Sequence, residues 1–128
     1  MEEVHKVKKI NIDECFEMFS DTFSPKIVGE LNDQYVMLVR CEGDKVPWHK
    51  HDDEDEMFFV LDGVLEVKQK DKSITLSAGE FCIVPRNTEH KVVPRGHVKL
   101  MLFEPRSTSH TGKVKSEITK DRFDRLDP

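Results

Sequence analysis

Residues 43–63, GDKVPWHKHDDEDEMFFVLDG, contain the most informative pattern in this chain. His49 and His51 are two residues apart, and on a β-strand this spacing points both imidazoles to the same face. Glu56 follows an acidic run and begins an apolar stretch that is typical of the next strand. The segment therefore predicts two strands that carry three titratable side chains close together.

A third histidine, His90, comes at the start of a later predicted strand. On the inner face of a barrel, three imidazoles and one carboxylate would form a site for Fe, Mn, Ni, Cu or Zn with open coordination positions. Taken singly, each residue has a simpler explanation, such as a solvated Glu56 or a turn histidine at position 90. Their combined spacing is what indicates a metal site, and its affinity should fall below about pH 6, because only neutral imidazole binds a metal.

Short stretches with apolar residues at every second position extend on both sides of this segment. They predict strands over residues 26–31, 34–41, 45–51, 56–61, 64–70, 73–76, 80–84, 90–93 and 97–104. Asp62-Gly63 lies between two apolar runs and is typical of a two-residue hairpin turn. Short strands at this density predict an all-β fold, an antiparallel sandwich or barrel.

The two ends of the chain lack this alternation. Apolar residues at helical spacing over 11–19 predict a short helix that Asn11 or Asp13 could cap. Residues 106–128 are polar, and we expect an extended tail with a last helical turn over 120–126. The chain should thus comprise an N-terminal helical segment (1–25), a β-barrel (26–104) and a C-terminal tail (105–128).

Composition excludes several classes of protein. Among 128 residues, 25 acidic and 20 basic side chains give a net charge of −5, which disfavours a nucleic-acid partner. No apolar run is long enough to span a bilayer, and the first ten residues contain no apolar core of a signal peptide. Three cysteines without CxxC spacing indicate reduced thiols, so we expect a cytoplasmic protein with no membrane partner.

The pattern in residues 43–63 resembles the first sequence motif of the cupin family. That motif reads Gly, five residues, His-x-His, three or four residues, Glu, six residues, Gly. Every position is matched, by Gly43, His49, His51, Glu56 and Gly63.

A later stretch resembles the second cupin motif, which reads Gly, five residues, Pro-x-Gly, two residues, His, three residues, Asn. Gly79, Pro85 and His90 match it, whereas Asn87 replaces the second Gly and Pro94 replaces the final Asn. Asn87 is a mild departure, because asparagine tolerates the left-handed backbone that glycine supplies. The position of Pro94 is not a ligand in the family.

The resemblance implies a small jelly-roll β-barrel with a metal in its mouth. By position, the implied ligands are His49, His51, Glu56 and His90. It further implies one divalent transition metal per chain, such as Fe, Mn, Ni or Zn, whose identity the sequence leaves open.

Alternation also suggests which side chains line a substrate pocket. Phe58 and Val60 share parity with Glu56 and should face the interior. On the last predicted strand we assign Met101 and Phe103 to the pocket, although the opposite set, Val98, Leu100 and Leu102, is an open alternative. Such an apolar pocket predicts a small, partly apolar ligand.

The resemblance favours a metalloenzyme that acts on a small organic molecule, and the leading hypothesis is a dioxygenase-type oxidoreductase. Alternatives are a non-catalytic binding protein or a sugar (phosphate) isomerase. An isomerase needs basic residues in its pocket, for which the candidates are Arg40, Lys45, Arg86 and Lys91. Residues 35–39 are apolar on both faces, so one face should meet the N-terminal helix or a partner subunit. The resemblance to small single-domain cupins also implies a dimer, and we expect a homodimer.

Overall fold

The change from helical to strand periodicity occurs at Lys26, as the sequence predicts. The computed structural model describes residues 6–128, so the first five residues of the predicted N-terminal segment lie outside the described residues. The elements, in chain order, are α1 (Ile12–Glu17), β1 (Lys26–Leu31), β2 (Gln34–Cys41), β3 (Glu56–Lys68), β4 (Ser73–Ser77), β5 (Phe81–Val84), β6 (Lys91–Pro105) and β7 (Asp124–Arg125).

Helix α1 begins where the cap was predicted and ends earlier than predicted. The side chain of Asn11 accepts a hydrogen bond from the backbone N–H of Glu14 at 3.0 Å, which satisfies one free donor of the first turn. The helix buries Cys15 and Phe16 against Leu38, on the outer face of β2. The outer face of the doubly apolar run 35–39 therefore meets the N-terminal helix.

The strands form one predominantly antiparallel sheet in the order β4-β3-β6-β2-β1-β7, and β5 pairs with the first part of β3, on the same edge that β4 occupies further along. The all-β fold is confirmed, and strand pairing traces an open path with β4 and β7 at its ends. Inward side chains of β2, β3 and β6, such as Met37, Val60 and Leu100, form the main hydrophobic core. The longest pairing joins β3 to β6 and supports this core.

Two predicted turns prove to be irregularities inside long strands. Strand β3 runs through Asp62-Gly63, so the predicted hairpin is wrong, and its register with β6 shifts on both sides of Asp62. Gly63 has a φ of 91°, and a Cβ there would lie 2.6 Å from the carbonyl oxygen of His97. This crowding explains why the kink needs glycine. Strand β6 likewise runs through Arg95-Gly96.

The predicted strand over 45–51 is also wrong. The structure has only an isolated antiparallel bridge there, between His49 and His90. Pro47 has no N–H to donate to a ladder, which limits regular pairing in this segment.

The C-terminal segment packs along the sheet instead of ending in a helical turn. Strand β7 (Asp124–Arg125) pairs in parallel with β1, and the N–H of Leu126 donates to the carbonyl of Ile27 at 2.9 Å. The predicted turn over 120–126 is therefore wrong. Nη2 of Arg125 donates to Oε1 of Glu30 at 2.7 Å, and this ion pair adds a side-chain contact between β7 and β1. Further upstream, Ile118 is buried in the main core.

Candidate metal centre

Three chain segments bring the predicted ligands together. His49 and His51 lie between β2 and β3, Glu56 begins β3, and His90 immediately precedes β6. The backbones of His49 and His90 exchange two hydrogen bonds, at 3.0 and 2.9 Å. The N–H of Asn87 donates to the carbonyl of His51 at 2.6 Å. Asn87 has a φ of 60°, so asparagine adopts the left-handed conformation expected at this motif position.

The four side chains converge in the interior. One donor atom from each of His49, His51, Glu56 and His90 lies within 4.8 Å of the others. All four residues are at most 5% exposed. The sequence therefore identified the whole cluster, and its composition of three imidazoles and one carboxylate suits a divalent transition metal.

Two of the imidazoles are held in the tautomer that a metal needs. Nδ1 of His49 lies 2.8 Å from the carbonyl oxygen of Pro47, and Nδ1 of His90 lies 2.8 Å from that of Thr88. A carbonyl only accepts, so each Nδ1 carries the proton. In the neutral rings, Nε2 is then left with a free lone pair, as in metal-binding histidines oriented by a backbone carbonyl.

Glu56 brings its carboxylate against these lone pairs. Its Oε1 lies 3.1 Å from Nε2 of His90 and 3.3 Å from Nε2 of His51. Nε2 of His51 is buried and has no aligned hydrogen-bond partner among residues 6–128. Acceptor atoms this close need a proton or a cation between them, so the donor set fits a bound metal ion.

The same contacts shift the pKa values of the cluster. Burial alone would raise the pKa of Glu56, but its contacts with the imidazoles of His51 and His90 outweigh burial and hold this pKa well below its ordinary value. For His90, burial opposes protonation, yet the contact with Glu56 raises its pKa. Burial lowers the pKa of His49. The carboxylate is thus kept ionised, as a metal ligand must be.

A small cavity of about 50 Å³ adjoins this cluster and touches His49 and Glu56. Of the predicted pocket residues, Phe58 lines it, whereas Val60 is fully buried in the core beside it. The residues of β6 that line the cavity are Val92, Leu100, Leu102 and Glu104.

Met101 and Phe103, which the sequence assigns to the pocket, do not line this cavity. Both have the opposite parity to Leu102, and Met101 packs against the cluster of Cys15 and Phe16 beneath α1. The open alternative set, through Leu100 and Leu102, is the one that faces the cavity.

None of the cavity-lining residues among 6–128 is a lysine or an arginine, so the basic candidates lie elsewhere. Arg40 donates to the carbonyl oxygens of Phe16 and Phe19, at 2.6 and 3.0 Å. Lys91 forms an ion pair with Asp44 at 3.0 Å.

Sequence reasoning missed two titratable residues of the cavity, Glu104 and His110. Burial, and then the nearby charge of Glu56, raises the pKa of Glu104 well above its ordinary value. Burial lowers the pKa of His110 to about 4. Nδ1 of His110 accepts a hydrogen bond from the N–H of Lys120 at 3.0 Å, so in the neutral ring the proton is on Nε2.

The fold and the buried three-histidine, one-glutamate cluster define a small β protein with a potential metal site. A family model described as "Cupin domain" matches residues 36–111, and the chain belongs to the cupin family. Among the described residues, no helix has the length and apolar character to cross a membrane.

Three relatives illustrate the similarity. The solved structure of a cupin-2 domain containing protein from Shewanella frigidimarina is 40% identical, with a TM-score of 0.73 over 75% of this chain and 93% of that one. A solved protein from Neisseria meningitidis is 25% identical, with a TM-score of 0.69 over 77% and 99%. An uncharacterized protein from Bacillus subtilis, YdbB, is 38% identical over 65 residues, or 50% of this chain and 57% of that protein. The match thus spans little more than half of the curated relative's length.

Proposed function

We propose that this cupin binds one divalent transition metal through His49, His51, Glu56 and His90, and that the metal serves an enzymatic reaction on a small organic molecule. The observation that carries the proposal is that buried hydrogen-bond acceptor atoms face each other with no proton donor of residues 6–128 between them. Nε2 of His90 and Oε1 of Glu56 are 3.1 Å apart while the carbonyl of Thr88 occupies the other ring nitrogen. A cation between them satisfies both atoms at once.

We favour a dioxygenase-type oxidoreductase among the possible reactions. When bound, Fe or Mn supplies a Lewis acid and a one-electron redox partner. Four protein donors leave coordination positions open, and Glu56 offsets part of the ion's charge. Phe58, Leu100 and Leu102 form an apolar wall that would bind the apolar part of a substrate and exclude water.

The lining of the cavity argues against a phosphorylated substrate. Recognition of a phosphate group usually needs arginine or lysine within hydrogen-bond reach. The cavity residues of the described chain include neither type. A sugar-phosphate isomerase is therefore a weaker proposal than a redox enzyme for a small, partly apolar molecule.

The test is reconstitution of the metal-free protein with Fe(II), Mn(II) or Zn(II), followed by oxygen-uptake assays with small diketones, phenols and thiols. We expect uptake with Fe or Mn for at least one substrate class, and its loss in His51→Ala. The matched control is His97→Ala, because His97 is an exposed histidine outside the cluster. Metal binding without uptake in any combination would contradict the oxidoreductase and leave a non-catalytic binding protein.

We also propose a homodimer, formed through an apolar patch on the outer face of the sheet. Strand register aligns Ile83, Met57 and Phe103 in one row across β5, β3 and β6, and Phe81 and Phe59 in the next. Ile83 and Phe81 are 58% and 55% exposed. Exposed apolar side chains in contiguous rows favour protein–protein contact, and an uncharged patch is complementary to its own copy.

A further inference from the structure

One polar group in the cavity takes no part in the proposed metal centre. Glu104 is the last inward-facing residue of β6, after Leu100 and Leu102, and it is 3% exposed. Its carboxyl group lines the same cavity as His49 and Glu56. It is nevertheless not one of the four side chains whose donor atoms converge.

The protein leaves this carboxyl group partly unsatisfied. Within residues 6–128, Oε2 of Glu104 is buried and has no hydrogen-bond partner. Burying a carboxyl oxygen without a partner is costly, and a leucine would continue the apolar row of β6 without that cost. A residue that breaks the local pattern at a cavity wall is typical of a functional site.

We propose that Oε2 of Glu104 accepts a hydrogen bond from a hydroxyl group of the molecule that binds at the metal centre. This inference rests on the proposed metal centre. Because Glu104 and Glu56 are neighbours, the hydroxyl must lie only a few bonds from the atom that approaches the ion. The matching chemical class is a small molecule with two adjacent oxygen functions, such as an α-hydroxyketone.

The rest of the cavity limits the size of that molecule. Its volume of about 50 Å³ corresponds to a few water molecules, so only a short chain or the reacting end of a larger molecule fits. Phe58, Leu100 and Leu102 offer it apolar contact. Glu104 would therefore select ligands that carry a hydroxyl group, although most of the cavity wall is apolar. A site built to hydrogen-bond a hydroxyl rejects an analogue that lacks one.

The experiment compares two ketones that differ by one hydroxyl group. Protein reconstituted with Co(II) is titrated with hydroxyacetone and with acetone, and the visible absorption of the cobalt reports binding. We expect the full chain to prefer hydroxyacetone by about 10-fold, as for a hydrogen bond whose loss leaves a buried acceptor unpaired. Glu104→Leu should reduce the preference to less than about twofold, and Glu104→Gln should give an intermediate ratio.

The control is Glu117→Gln, which changes an exposed carboxylate outside the cavity lining and should keep the original ratio. Failure of the unmodified chain to bind Co(II) would overturn the proposed metal centre itself. If Co(II) binds but neither ketone changes the spectrum, or the preference survives in Glu104→Leu, the metal centre stands and the role of Glu104 is overturned. Loss of cobalt in both Glu104 variants would also overturn it, because Glu104 would then belong to metal binding.

Discussion

Gly112 in the C-terminal segment lies directly against the carbonyl oxygen of Lys50, the residue between His49 and His51. Its φ of 60° is in the left-handed region, and a Cβ at this position would clash with that oxygen. The C-terminal segment therefore packs against the backbone that carries two proposed ligands. The same segment also contributes His110 to the cavity wall.

Gly112→Ala should destabilise the protein more than Gly96→Ala does. Both glycines have a positive φ, but a Cβ at Gly96 meets nothing within 4 Å. We expect about 1 kcal/mol for Gly96→Ala from backbone strain, and at least about 2–3 kcal/mol for Gly112→Ala, where the clash adds to it. Urea unfolding of both variants measures the difference. Equal losses would show that the contact with Lys50 does not hold the segment.

His110 should make stability depend on pH between about 6.5 and 4. Burial lowers its pKa to about 4, so within this window the unfolded chain binds a proton that the folded chain does not. The free energy of unfolding therefore falls as the pH falls through the window. Solvent around the half-buried ring limits the effect to about 1–2 kcal/mol.

The variant His110→Gln isolates this contribution. Urea unfolding of the chelator-treated proteins at pH 7, 5.5 and 4 should show the variant gaining stability relative to the original chain as the pH falls. A difference between the two proteins that stays constant from pH 7 to 4 would contradict the neutral state of His110 in the folded chain.

Arg40 should stabilise the docking of helix α1. It donates to the carbonyl oxygens of Phe16 and Phe19, and its guanidinium lies 5.4 and 5.5 Å from the centres of their rings. Lysine cannot reproduce this planar, two-point contact, so Arg40→Lys should cost about 1–2 kcal/mol of the free energy of unfolding. The exposed Arg86 gives a matched control, and Arg86→Lys should be close to neutral. If Arg40→Lys and Arg86→Lys lowered the free energy of unfolding by the same small amount, Arg40 would have no special role in docking helix α1.

The homodimer proposal predicts a mass near twice the 14.9 kDa of one chain in light scattering after gel filtration. Replacing Phe81 and Ile83 together by lysine should produce monomers, because it places charges in the proposed apolar contact. Val114 is also exposed, at 40%, but lies in the C-terminal segment. Val114→Lys should remain dimeric. A monomeric original chain, or a dimer that tolerates both lysines, would overturn this interface.

The four proposed ligands could be found from sequence because they lie close to strand ends with fixed spacing. The spacing of two from His49 to His51 places both rings on one side, and the backbone bridge from His49 to His90 preserves that geometry even though the strand over 45–51 does not form. Local spacing explains the common side of His49 and His51, whereas the long-range bridge and the second motif bring His90 to them.

Other features depend on long-range contacts that local patterns do not encode. Asp62-Gly63 has the same signature as a hairpin turn, and only the crowding between Gly63 and the carbonyl of His97 reveals a kink inside β3. Which alternate set of β6 side chains points inward depends on the register between β6 and β3. The set with Leu102 faces the cavity, and the set with Phe103 does not.

The two missed cavity residues differ in what could have revealed them. Glu104 continues the parity of Leu100 and Leu102, so a charged residue at the end of that apolar row was a usable signal. His110 lies in a segment without periodicity, and its place at the cavity follows from the packing of that segment alone.

The most direct measurement is the metal content of protein purified without a histidine tag or chelator, determined by elemental analysis. We expect about one Fe, Mn, Ni or Zn per chain, lost in His51→Ala and retained in His97→Ala. His51 is the ligand whose Nε2 has no aligned partner among the described residues, so its removal should affect metal binding directly. A chain that remains free of metal after reconstitution, or a His51→Ala variant that keeps its full metal content, would contradict the proposed centre.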